Sequence, residues 1–543
     1  MVKEVSVLIA GEAGQGIDSS GRHIGEFFNE QGLYSFVYKD YGSVIRGGHT
    51  FSVIKASENE VLAHERDVDV VIALNAESLE HFKDLKKNGI LICADNCKDV
   101  KGFRTIKIPF SDIEKKFGKI FLNSACIIAL LTVMNYDVND YLKLLTKRHK
   151  ENAEVSKFIS DYVEKNYSGM IESKKLKTSK KGEVVYGNDA IAMGMAAAGL
   201  ERYYAYPMTP ATGILHYLAA HQKEFGLALQ PENEISVINM ALGSAYAGKI
   251  SAVGTSGGGF DLMHEALSFA GTAEIPLLVI NSQRSSSSTG LPTYSGQADL
   301  LSSIYAGHGE FPKIVVAPST TEEAYELSAE ALKLAWKFQI QSILLSDKNL
   351  SESAKTTKFS KVDRIKLNFA KGAQRYKFSK DGISPLIIPG VKDVTSKITS
   401  YEHDEFGYSS EDGPMAMQMQ EKRAKKRDAI IAEMKKLETV KTYGNGKIAV
   451  IAWGSAVNPF REALKYSKDL KIIQPVYLEP FPTEKIIKEL KTAKAVFVPE
   501  YNSTGQLSEI LKREGIWKDD FVQMLKCDGR PFNPKQAAIG VIK

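Results

Sequence analysis

The chain has 543 residues, a length that suggests three or four domains because a domain typically has about 150 residues. Hydrophobic residues make up 43% of the sequence and charged residues 25%, which excludes large-scale disorder. The 70 basic and 65 acidic residues leave a net charge of +5, too small and too dispersed to indicate nucleic acid as the main partner. The composition favours an ordinary globular enzyme.

The four cysteines are spread along the sequence and form no CxxC pair; they are Cys93, Cys97, Cys126 and Cys527. We therefore predict neither a disulfide scaffold nor a metal centre in this protein. The longest apolar stretches, such as residues 125–134, are shorter than the roughly 18 residues that a membrane span needs, and no signal peptide is expected. Reduced thiols without an export signal predict a cytoplasmic protein that does not enter a membrane.

The first segment alternates predicted strands and helices, with strands at residues 5–10, 34–38, 68–74 and 90–94. This alternation is typical of a parallel, doubly wound sheet, so we predict a Rossmann-like domain. The domain ends in an amphipathic helical stretch from Ser124 to about Lys165. The Lys- and Ser-rich residues 173–182 that follow indicate a linker, and we place the first domain and its linker at residues 1–180.

The strand and helix pattern restarts at Glu183, with strands at residues 250–255, 276–281, 314–317 and 341–345. We predict a second α/β domain at 181–350, a connecting region at 351–440 and a third α/β domain at 441–543. The connecting region ends in a charged helix at 415–436, whose basic cluster is Lys422, Arg423, Lys425, Lys426 and Arg427. Such a cluster is most often a solvated helix face, and that is the expectation here.

The Gly-rich turn Gly11-Glu12-Ala13-Gly14-Gln15-Gly16 follows the first strand and opens a helix. Glycines there allow a tight turn and direct N–H groups towards an anion, as a dinucleotide site requires. However, the spacing is GxxGxG rather than the GxGxxG of dinucleotide-binding domains. A purely structural turn and an anion site both stay open. The nearby Arg46-Gly47-Gly48 adds a guanidinium that could bind a phosphate or a carboxylate.

The second domain carries three polar segments where its predicted strands end. Residues 206–210 (YPMTP) come directly after a strand, 255–259 (TSGGG) after the next, and the Ser-rich residues 285–293 after a third. Because ligands bind at the carboxyl ends of parallel strands, these segments predict one site. Glu234 precedes an Ala/Gly-rich helix, where an acid can simply stabilise the helix N-terminus. Helix capping and a catalytic role are both open for Glu234.

These segments resemble a known family. Residues 206–212 (YPMTPAT), 232–248 (ENEISVINMALGSAYAG) and 288–293 (STGLPT) are similar, in order, to the YPITP element, the thiamine-activating helix and the STG-P-T loop of the 2-oxoacid:ferredoxin oxidoreductases. GEAGQG with Arg46-Gly47-Gly48 resembles the family's gamma domain, and residues 500–506 (EYNSTGQ) resemble the E-N-x-GQ element in the last domain of the family's alpha subunit. The protein is thus identified as an alpha subunit with a fused N-terminal gamma domain.

The resemblance implies an α/β fold of three doubly wound units: a Rossmann-like gamma domain, a thiamine-pyrimidine-binding domain and a transketolase C-terminal-like domain. It implies thiamine diphosphate as cofactor, with Glu234 as the acid against the aminopyrimidine and Thr255, Ser256 and Gly257 beside the cofactor. The implied substrate-binding residues are Tyr206, Pro207, Thr209, Ser288, Thr289, Gly290, Thr293 and Tyr294. Thr209 corresponds to the contact with the substrate carboxylate. The candidate anion or CoA loop consists of Gly14, Gly16, Arg46 and Gly47.

Two parts of the implied machinery are missing from the sequence. It contains no GDG followed by Asn-Asn, the usual Mg²⁺ and diphosphate signature, and its cysteines cannot ligate a cluster. In this family a beta subunit supplies Mg²⁺ and the [4Fe-4S] cluster. The resemblance therefore implies an αβ or (αβ)₂ assembly that decarboxylates a 2-oxo acid, with CoA as acyl acceptor and ferredoxin as electron acceptor.

One position departs from the family pattern. Relatives commonly have a basic residue directly after the G-x-P-T loop, whereas this protein has Tyr294. A missing cation argues against a second carboxylate on the substrate, although the beta subunit could replace it. We therefore expect a preference for monocarboxylic 2-oxo acids.

Two other functions stay open at this stage. A non-catalytic assembly subunit built on the same folds is favoured if Glu234 is only a helix cap. An NAD-linked dehydrogenase that uses GEAGQG is the other, and it predicts nicotinamide binding by the isolated protein.

Overall fold

The computed structural model describes residues 4–43, 47–98, 100–145, 151–172, 178–390 and 392–542. The chain forms two compact units. The first is drawn from Met1–Tyr186, Ser353–Lys358 and Asn533–Gln536, and the second from Gly187–Glu352, Phe359–Phe532 and Ala537–Lys543.

Up to Tyr186 the described residues alternate strands with helices. The strands are β1 Glu4–Glu12, β2 Tyr34–Tyr41, β3 His49–Ser57, β4 Val68–Ala73, β5 Leu85–Ala94, β6 Arg104–Ile108 and β7 Glu183–Tyr186. The α-helices are α1 Ile17–Glu30, α2 Phe110–Lys116, α3 Leu122–Val133, α4 Val138–Leu145 and α5 Asn152–Tyr167.

The same alternation continues to residue 357. The strands are β8 Arg202–Tyr204, β9 Leu227–Leu229, β10 Ser251–Thr255, β11 Leu277–Gln283, β12 Lys313–Val316, β13 Gln341–Asp347 and β14 Ala354–Thr357. The helices are α6 Gly187–Ala198, α7 Thr212–Ala220, α8 Gln222–Phe225, α9 Glu234–Tyr246, α10 Gly257–Thr272, α11 Leu300–Ile304, α12 Thr321–Phe338 and α13 Lys348–Glu352.

The remaining elements run from residue 413 to 542. The helices are α14 Gly413–Met434, α15 Val457–Ala463, α16 Thr483–Leu490, α17 Gln506–Arg513 and α18 Pro534–Ile542. The strands are β15 Val440–Tyr443, β16 Ile448–Ile451, β17 Leu470–Pro475, β18 Tyr477–Glu479, β19 Ala495–Glu500 and β20 Val522–Leu525.

The first unit contains one sheet with strand order β6-β5-β4-β1-β3-β2-β14-β7. Strands β6, β5, β4 and β1 are parallel, as the alternating pattern predicts. The other half is antiparallel, because β3 pairs with both β1 and β2, and β14 pairs with β2 and β7. Strand β3 is not among the strands predicted from the sequence; it follows β2 after a short connection and pairs back onto it without a crossover helix.

The helical stretch expected at 124–165 divides into α3, α4 and α5. Helix α3 is not amphipathic: ten of its twelve residues are buried, because it lies in the core of the first unit. A helix that is apolar all round indicates burial on every side rather than a solvated face.

The second unit contains two sheets whose neighbouring strands are mostly parallel. One has the order β18-β12-β13-β11-β10-β8-β9 and the other β15-β17-β16-β19-β20. Only the pairs β12 with β18 and β15 with β17 are antiparallel among the described strands of these sheets. The predicted α/β fold class is confirmed. The predicted boundaries at 180, 350 and 440 stay a prediction.

Helix α14 corrects the expectation of a solvated basic face. Lys422, Arg423 and Lys426 are buried, whereas Lys425 and Arg427 are exposed. Lys422 Nζ lies 2.6 Å and Lys426 Nζ 2.5 Å from carboxylate oxygens of Glu274, which is also buried. The expectation was wrong for these three residues because buried acceptors and the long apolar stems of the basic side chains allow them to pack inward.

Among the described residues, no helix is both long and apolar enough to cross a membrane.

Candidate active site

The carboxyl ends of three neighbouring parallel strands, β8, β10 and β11, lie at one edge of the seven-stranded sheet. The register pairs Tyr204 with Val253 and Thr255 with Asn281, so the segments after these strands start side by side. The YPMTP, TSGGG and Ser-rich segments predicted to form one site are therefore brought to one edge.

Helix α9 begins at this edge with Glu234. The side chain of Asn233, not of Glu234, caps the helix, because Asn233 Oδ1 accepts a hydrogen bond from the Ser236 backbone N–H at 2.9 Å. The Glu234 side chain is buried, with 4% of its surface exposed, and its Oε1 has no hydrogen-bond partner among the described residues. Leaving a buried carboxylate oxygen unsatisfied is costly, so Glu234 is suited to a ligand rather than to the helix.

Gly259 fixes how closely α10 approaches Glu234. A Cβ atom at Gly259 would lie 2.5 Å from Glu234 Oε1 and 2.1 Å from Thr255 Oγ1, both impossible contacts. Thr255 is fully buried, and its hydroxyl reaches Met208 Sδ of the YPMTP segment at 3.9 Å. Glycine at 259 thus allows Glu234, Thr255 and the YPMTP segment to converge.

The start of α10 adds further polar groups. Ser256 is fully buried, and its hydroxyl has no hydrogen-bond partner within the described residues. A Cβ atom at Gly257 would lie 2.9 Å from Asp299 Oδ2, which also accepts a hydrogen bond from Asn281 Nδ2 at 3.3 Å. Burial raises the pKa of Asp299 to about 6, and the Asn281 hydrogen bond limits the rise. Asp299 was not predicted from the sequence. The one feature that could have indicated it is its position directly before the short helix α11.

The Ser-rich loop folds back on itself between residues 285 and 294. Ser285 N–H donates to the Tyr294 carbonyl at 3.0 Å, and Leu291 N–H donates to the Ser285 carbonyl at 2.9 Å. Ser288, Thr289 and Gly290 form the exposed tip, with left-handed φ values of 56° at Ser288 and 50° at Gly290.

Thr293 lies at the base of this loop rather than at its tip. It is buried, and its Oγ1 has no hydrogen-bond partner in the described part of the protein. The predicted loop residues therefore divide into an exposed tip and a buried base.

Arg284 lies at the candidate site and is not among the residues predicted from the sequence. It directly follows β11, and its guanidinium donates to the Thr209 carbonyl at 3.1 Å and to the Ser288 carbonyl at 3.4 Å. Burial lowers the pKa of Arg284, and the charge of Asp299 opposes that shift. The position of Arg284 directly after the buried parallel strand β11 could have indicated a role at the strand edge. Arg284 joins the YPMTP segment to the STG-P-T loop and adds a positive charge to the site.

Tyr206 and Pro207 complete the YPMTP segment. Tyr206 is 39% exposed, and Pro207 and Thr209 are half-buried. The segment therefore remains open to a ligand at the strand edge.

A positively charged side chain lies beside Tyr294, although Tyr294 itself is not basic. The Arg530 guanidinium carbon lies 3.9 Å from the centre of the Tyr294 ring. Tyr294 therefore does not remove positive charge from the neighbourhood of this loop. The expected substrate preference itself stays untested.

The EYNSTGQ motif, residues 500–506, forms hydrogen bonds with residues 297–301, which follow the Ser-rich loop. Asn502 Nδ2 donates to the Gln297 carbonyl at 3.0 Å, and Gln506 Oε1 accepts from the Leu301 N–H at 3.0 Å. Glu500, fully buried, accepts from Asn502 and from the Leu507 backbone at the start of α17. The motif thus positions residues 297–301 from the five-stranded sheet.

The Gly-rich turn of the first unit borders a separate cleft of about 550 Å³. Gly14 and Gly16 have left-handed φ values of 94° and 76°, and α1 has no side-chain hydrogen bond as a cap at Gly16. Gly47 is also left-handed, with φ of 72°. Arg46, the predicted cation of this loop, lies outside the described residues. These left-handed conformations meet the steric requirement for glycine at all three positions.

Two family models match the sequence. Residues 6–167 match "Pyruvate ferredoxin/flavodoxin oxidoreductase" and residues 193–422 match "Pyruvate flavodoxin/ferredoxin oxidoreductase, thiamine diP-bdg". A 2-oxoacid:ferredoxin oxidoreductase subunit alpha from Sulfolobus sp is 31% identical over 99% of this chain and 97% of its own length. The chain belongs to the 2-oxoacid:ferredoxin oxidoreductase alpha subunits. The family identified from three motifs and its thiamine diphosphate cofactor are confirmed.

Two further relatives support the same family assignment. The 2-oxoglutarate oxidoreductase subunit KorA of Mycobacterium tuberculosis is 32% identical over 64% of this chain and 55% of its own length. The solved 2-oxoglutarate:ferredoxin oxidoreductase of Magnetococcus marinus, with 2-oxoglutarate, coenzyme A and succinyl-CoA bound, superposes with a TM-score of 0.89 and 30% identity over 99% of both chains. Because the Sulfolobus and Mycobacterium relatives are named as subunits, the protein is one subunit of a multi-subunit oxidoreductase.

Proposed function

We propose that this protein is the alpha subunit, with a fused N-terminal gamma domain, of a cytoplasmic enzyme that oxidatively decarboxylates a 2-oxo acid. In this proposal the acyl group passes to CoA and the electrons pass to ferredoxin. The observation that carries it is the Glu234 carboxylate, which is buried at the strand edge while Asn233 caps the helix. A side chain with a structural task alone would be satisfied by its neighbours.

The residues at the strand edge fit thiamine diphosphate. Glu234 Oε1 is a buried acceptor without a partner in the described residues, and Gly259 leaves room beside it. Ser256 offers a second unsatisfied buried hydroxyl at the start of α10. When bound, thiamine diphosphate supplies the carbon nucleophile and the electron sink that decarboxylation of a 2-oxo acid requires.

Each residue at the strand edge has a distinct task in the proposal. Glu234 would hold a proton against N1′ of the aminopyrimidine of bound thiamine diphosphate. Thr255, Ser256 and Gly257 line the cofactor side of the edge. Arg284 pairs with the substrate's 1-carboxylate, because its guanidinium lies against Thr209 of the YPMTP segment.

The remaining proposed substrate contacts come from the YPMTP segment and the loop. Tyr206, Pro207 and Thr209 border the substrate on the β8 side, and the exposed tip Ser288, Thr289 and Gly290 closes the opposite side. Thr293, with its buried unsatisfied hydroxyl, lies at the base of the loop.

The proposed site needs a second subunit. Among the described residues, no group of three or more histidine, cysteine, aspartate or glutamate side chains could hold a metal ion. The proposal therefore assigns Mg²⁺, the diphosphate contacts and the [4Fe-4S] cluster to a beta subunit in an αβ or (αβ)₂ assembly. The relatives' names as alpha subunits support this division.

We assign the Gly-rich turn of the first unit to an anionic part of CoA. Its support is the left-handed backbone at Gly14 and Gly16, which leaves the first N–H groups of α1 without a side-chain cap beside a cleft. Helix N-termini bind phosphates through these N–H groups and the helix dipole. Gly47 and Arg46 complete the proposed loop.

The test is to co-express the protein with its beta subunit and purify the complex without oxygen. With thiamine diphosphate, Mg²⁺ and CoA, we expect dye reduction that depends on a 2-oxo acid, and ferredoxin reduction in place of the dye. Absence of turnover with every 2-oxo acid in a panel that includes pyruvate and 2-oxoglutarate would overturn the proposal.

Two controls separate the alternatives. Turnover that is unaffected by Glu234→Gln would favour the assembly subunit, because the acid would then have no chemical task. Tight binding of NAD(H) to the isolated protein, with no effect of thiamine diphosphate, would favour the dehydrogenase.

A further inference from the structure

Asp299 carries a carboxylate at the strand edge that its own helix does not use. It is the residue before α11, yet its side chain forms no capping hydrogen bond with that helix. Within the described ranges, the carboxylate accepts one hydrogen bond, from Asn281 Nδ2 at 3.3 Å, and forms no ion pair. A partly buried carboxylate with so few partners is costly to the fold, so a structural task does not account for Asp299.

Two side chains from the end of β11 fix Asp299 in place. Asn281 and Gln283 are fully buried, and they project to the same face of β11 because they are two residues apart. Gln283 Oε1 accepts the Asp299 backbone N–H at 3.0 Å, and Gln283 Nε2 donates to the Ser346 carbonyl at 3.2 Å. Both the backbone and the carboxylate of Asp299 are therefore held from the strand edge.

The Asp299 carboxylate faces the start of α10. A Cβ atom at Gly257 would lie 2.9 Å from Asp299 Oδ2 and 3.4 Å from Oδ1. Gly257 follows Ser256, which is fully buried and whose hydroxyl has no hydrogen-bond partner among the residues described. These distances place Asp299 beside the TSGGG segment of the candidate active site.

Arg284 is the cation that acts on Asp299. It directly follows Gln283, and its guanidinium donates to the carbonyls of Thr209 at 3.1 Å and Ser288 at 3.4 Å. These two acceptors are neutral. The negative charge of Asp299 opposes the lowering of the Arg284 pKa by burial, and the positive charge of Arg284 lowers the pKa of Asp299. The two residues therefore stabilise each other's charged form without an ion pair in direct contact.

Few other groups influence the charge of Asp299. Burial raises its pKa to about 6, the Asn281 hydrogen bond and the charge of Arg284 limit the rise, and the charge of Asp261 on α10 adds to it. From α17 the neutral Gln506 reaches the preceding residue, because its Nε2 donates to the Ala298 carbonyl at 2.6 Å. Arg284 is therefore the cation that opposes protonation of Asp299.

We infer that Asp299 is a positioning residue that balances the charge of Arg284 before substrate binds, and takes up a proton when the 1-carboxylate of the 2-oxo acid pairs with Arg284. This inference rests on the proposed function, in which Arg284 binds that carboxylate. The incoming carboxylate neutralises Arg284 and so removes the attraction that keeps Asp299 ionised. The proton comes from solvent and forms an O–H bond on the Asp299 carboxyl group. Because linkage is reciprocal, the 2-oxo acid binds more weakly as the pH rises and Asp299 ionises.

The first test measures the pH dependence of KM on the complex with its beta subunit, with pyruvate and with 2-oxoglutarate. For the unmodified complex we expect KM to rise at least about threefold between about pH 6 and pH 8. Asp299→Asn keeps an acceptor for Asn281 but cannot ionise, so its KM should depend little on pH and should be lower than that of the unmodified complex at the higher pH. Asp299→Glu restores an ionisable group and should restore the dependence. The matched control is Glu265→Gln, which removes an exposed carboxylate from α10 and should keep the original profile.

The second test counts protons without turnover. The complex is loaded with thiamine thiazolone diphosphate, an analogue that lacks the carbon nucleophile, and is titrated with pyruvate or 2-oxoglutarate by calorimetry. Parallel titrations in two buffers of different ionisation enthalpy give the number of protons taken up on binding. We expect net uptake of about half a proton near neutral pH, which is absent in Asp299→Asn and retained in Glu265→Gln.

The outcomes separate this inference from the proposed function. An unchanged pH profile and unchanged proton uptake in Asp299→Asn would overturn the inference and leave the proposed function standing. Proton uptake that Asp299→Asn abolishes, in a complex that oxidises no 2-oxo acid, would support the inference and overturn the proposed function. Loss of cofactor affinity in both Asp299→Asn and Asp299→Glu, with the pH profile of KM unchanged, would assign Asp299 a structural role only and overturn the inference. Failure of the unmodified complex to bind either acid would overturn it as well.

Discussion

Asn233 and Glu234, adjacent in the sequence, have separate tasks at the start of α9. Asn233 Oδ1 accepts the Ser236 N–H at 2.9 Å, and the neighbouring Glu234 Oε1 is buried without a partner among the described residues. The helix therefore does not need Glu234 as its cap. The unsatisfied carboxylate is available to a ligand.

This separation predicts different effects for two adjacent substitutions. Glu234→Gln should lower kcat of the complex at least about a hundredfold, the low end of a general acid–base contribution, with little change in stability. Asn233→Ala should cost about 1 kcal/mol of stability through the lost cap. Its kcat should stay higher than that of Glu234→Gln. Steady-state kinetics and chemical denaturation of both variants measure the two effects. A Glu234→Gln complex with near-normal turnover would contradict the assignment.

Gly259 provides an independent test of the same site. Gly259→Ala would place a methyl group 2.5 Å from Glu234 Oε1 and 2.1 Å from Thr255 Oγ1, so the carboxylate must move. We expect weaker thiamine diphosphate binding, measured by calorimetry on the complex, together with lower turnover. The matched control is Gly258→Ala, one residue earlier in α10, where the added methyl would have no described atom within 4 Å apart from its chain neighbours and the backbone of its own helix. Equal affinity in the two variants would show that the close approach at Gly259 does not matter.

The buried ion cluster of Glu274 with Lys422 and Lys426 predicts a dependence of stability on pH. Burial opposes ionisation of Glu274, but the two ammonium groups outweigh burial and lower its pKa from 4.5 to about 2. A lowered carboxyl pKa contributes stability that is present above pH 4.5 and is lost as the pH falls towards 2. Acid unfolding should therefore steepen in this range.

Glu274→Gln tests the cluster directly. It leaves two buried lysines without this carboxylate, so we expect a loss of about 3 to 5 kcal/mol at neutral pH and a weaker dependence on acid. Glu509→Gln removes half of the exposed pair with Lys512 and should cost less than about 1 kcal/mol. Urea unfolding at a series of pH values checks both. A similar small loss in the two variants would mean that the buried cluster does not stabilise the fold.

The division of the site between subunits gives a further prediction. The protein purified alone should contain no iron–sulfur chromophore and should not decarboxylate 2-oxo acids, because its four cysteines form no cluster motif. Iron and labile sulfide analysis with an absorption spectrum measures this. Stoichiometric iron and sulfide in the isolated protein would contradict the split site.

The sequence located the main parts of the candidate site because those parts are local. YPMTP, TSGGG and the Ser-rich loop each follow a buried strand, and parallel strands bring their carboxyl ends to one edge. The order of apolar runs was therefore enough to predict the α/β fold and the convergence of these segments. β3 was not predicted because a glycine pair such as Gly47-Gly48 can lie in an irregular loop or can precede an antiparallel strand, and the sequence does not distinguish the two.

The sequence by itself also determined the family, because the spacing of the motifs and the residue types are fixed along the chain, and it predicted Glu234 as a candidate site residue. Only the tertiary structure decided that Asn233 caps α9, that Lys422, Arg423 and Lys426 are buried, and that Arg284 and Arg530 lie at the ends of one loop. Burial and charge pairing depend on residues distant in sequence: Glu274 for α14, and the segment after β20 for Tyr294. A linear pattern carries no signal for such contacts, because they form only when the strands and helices have packed.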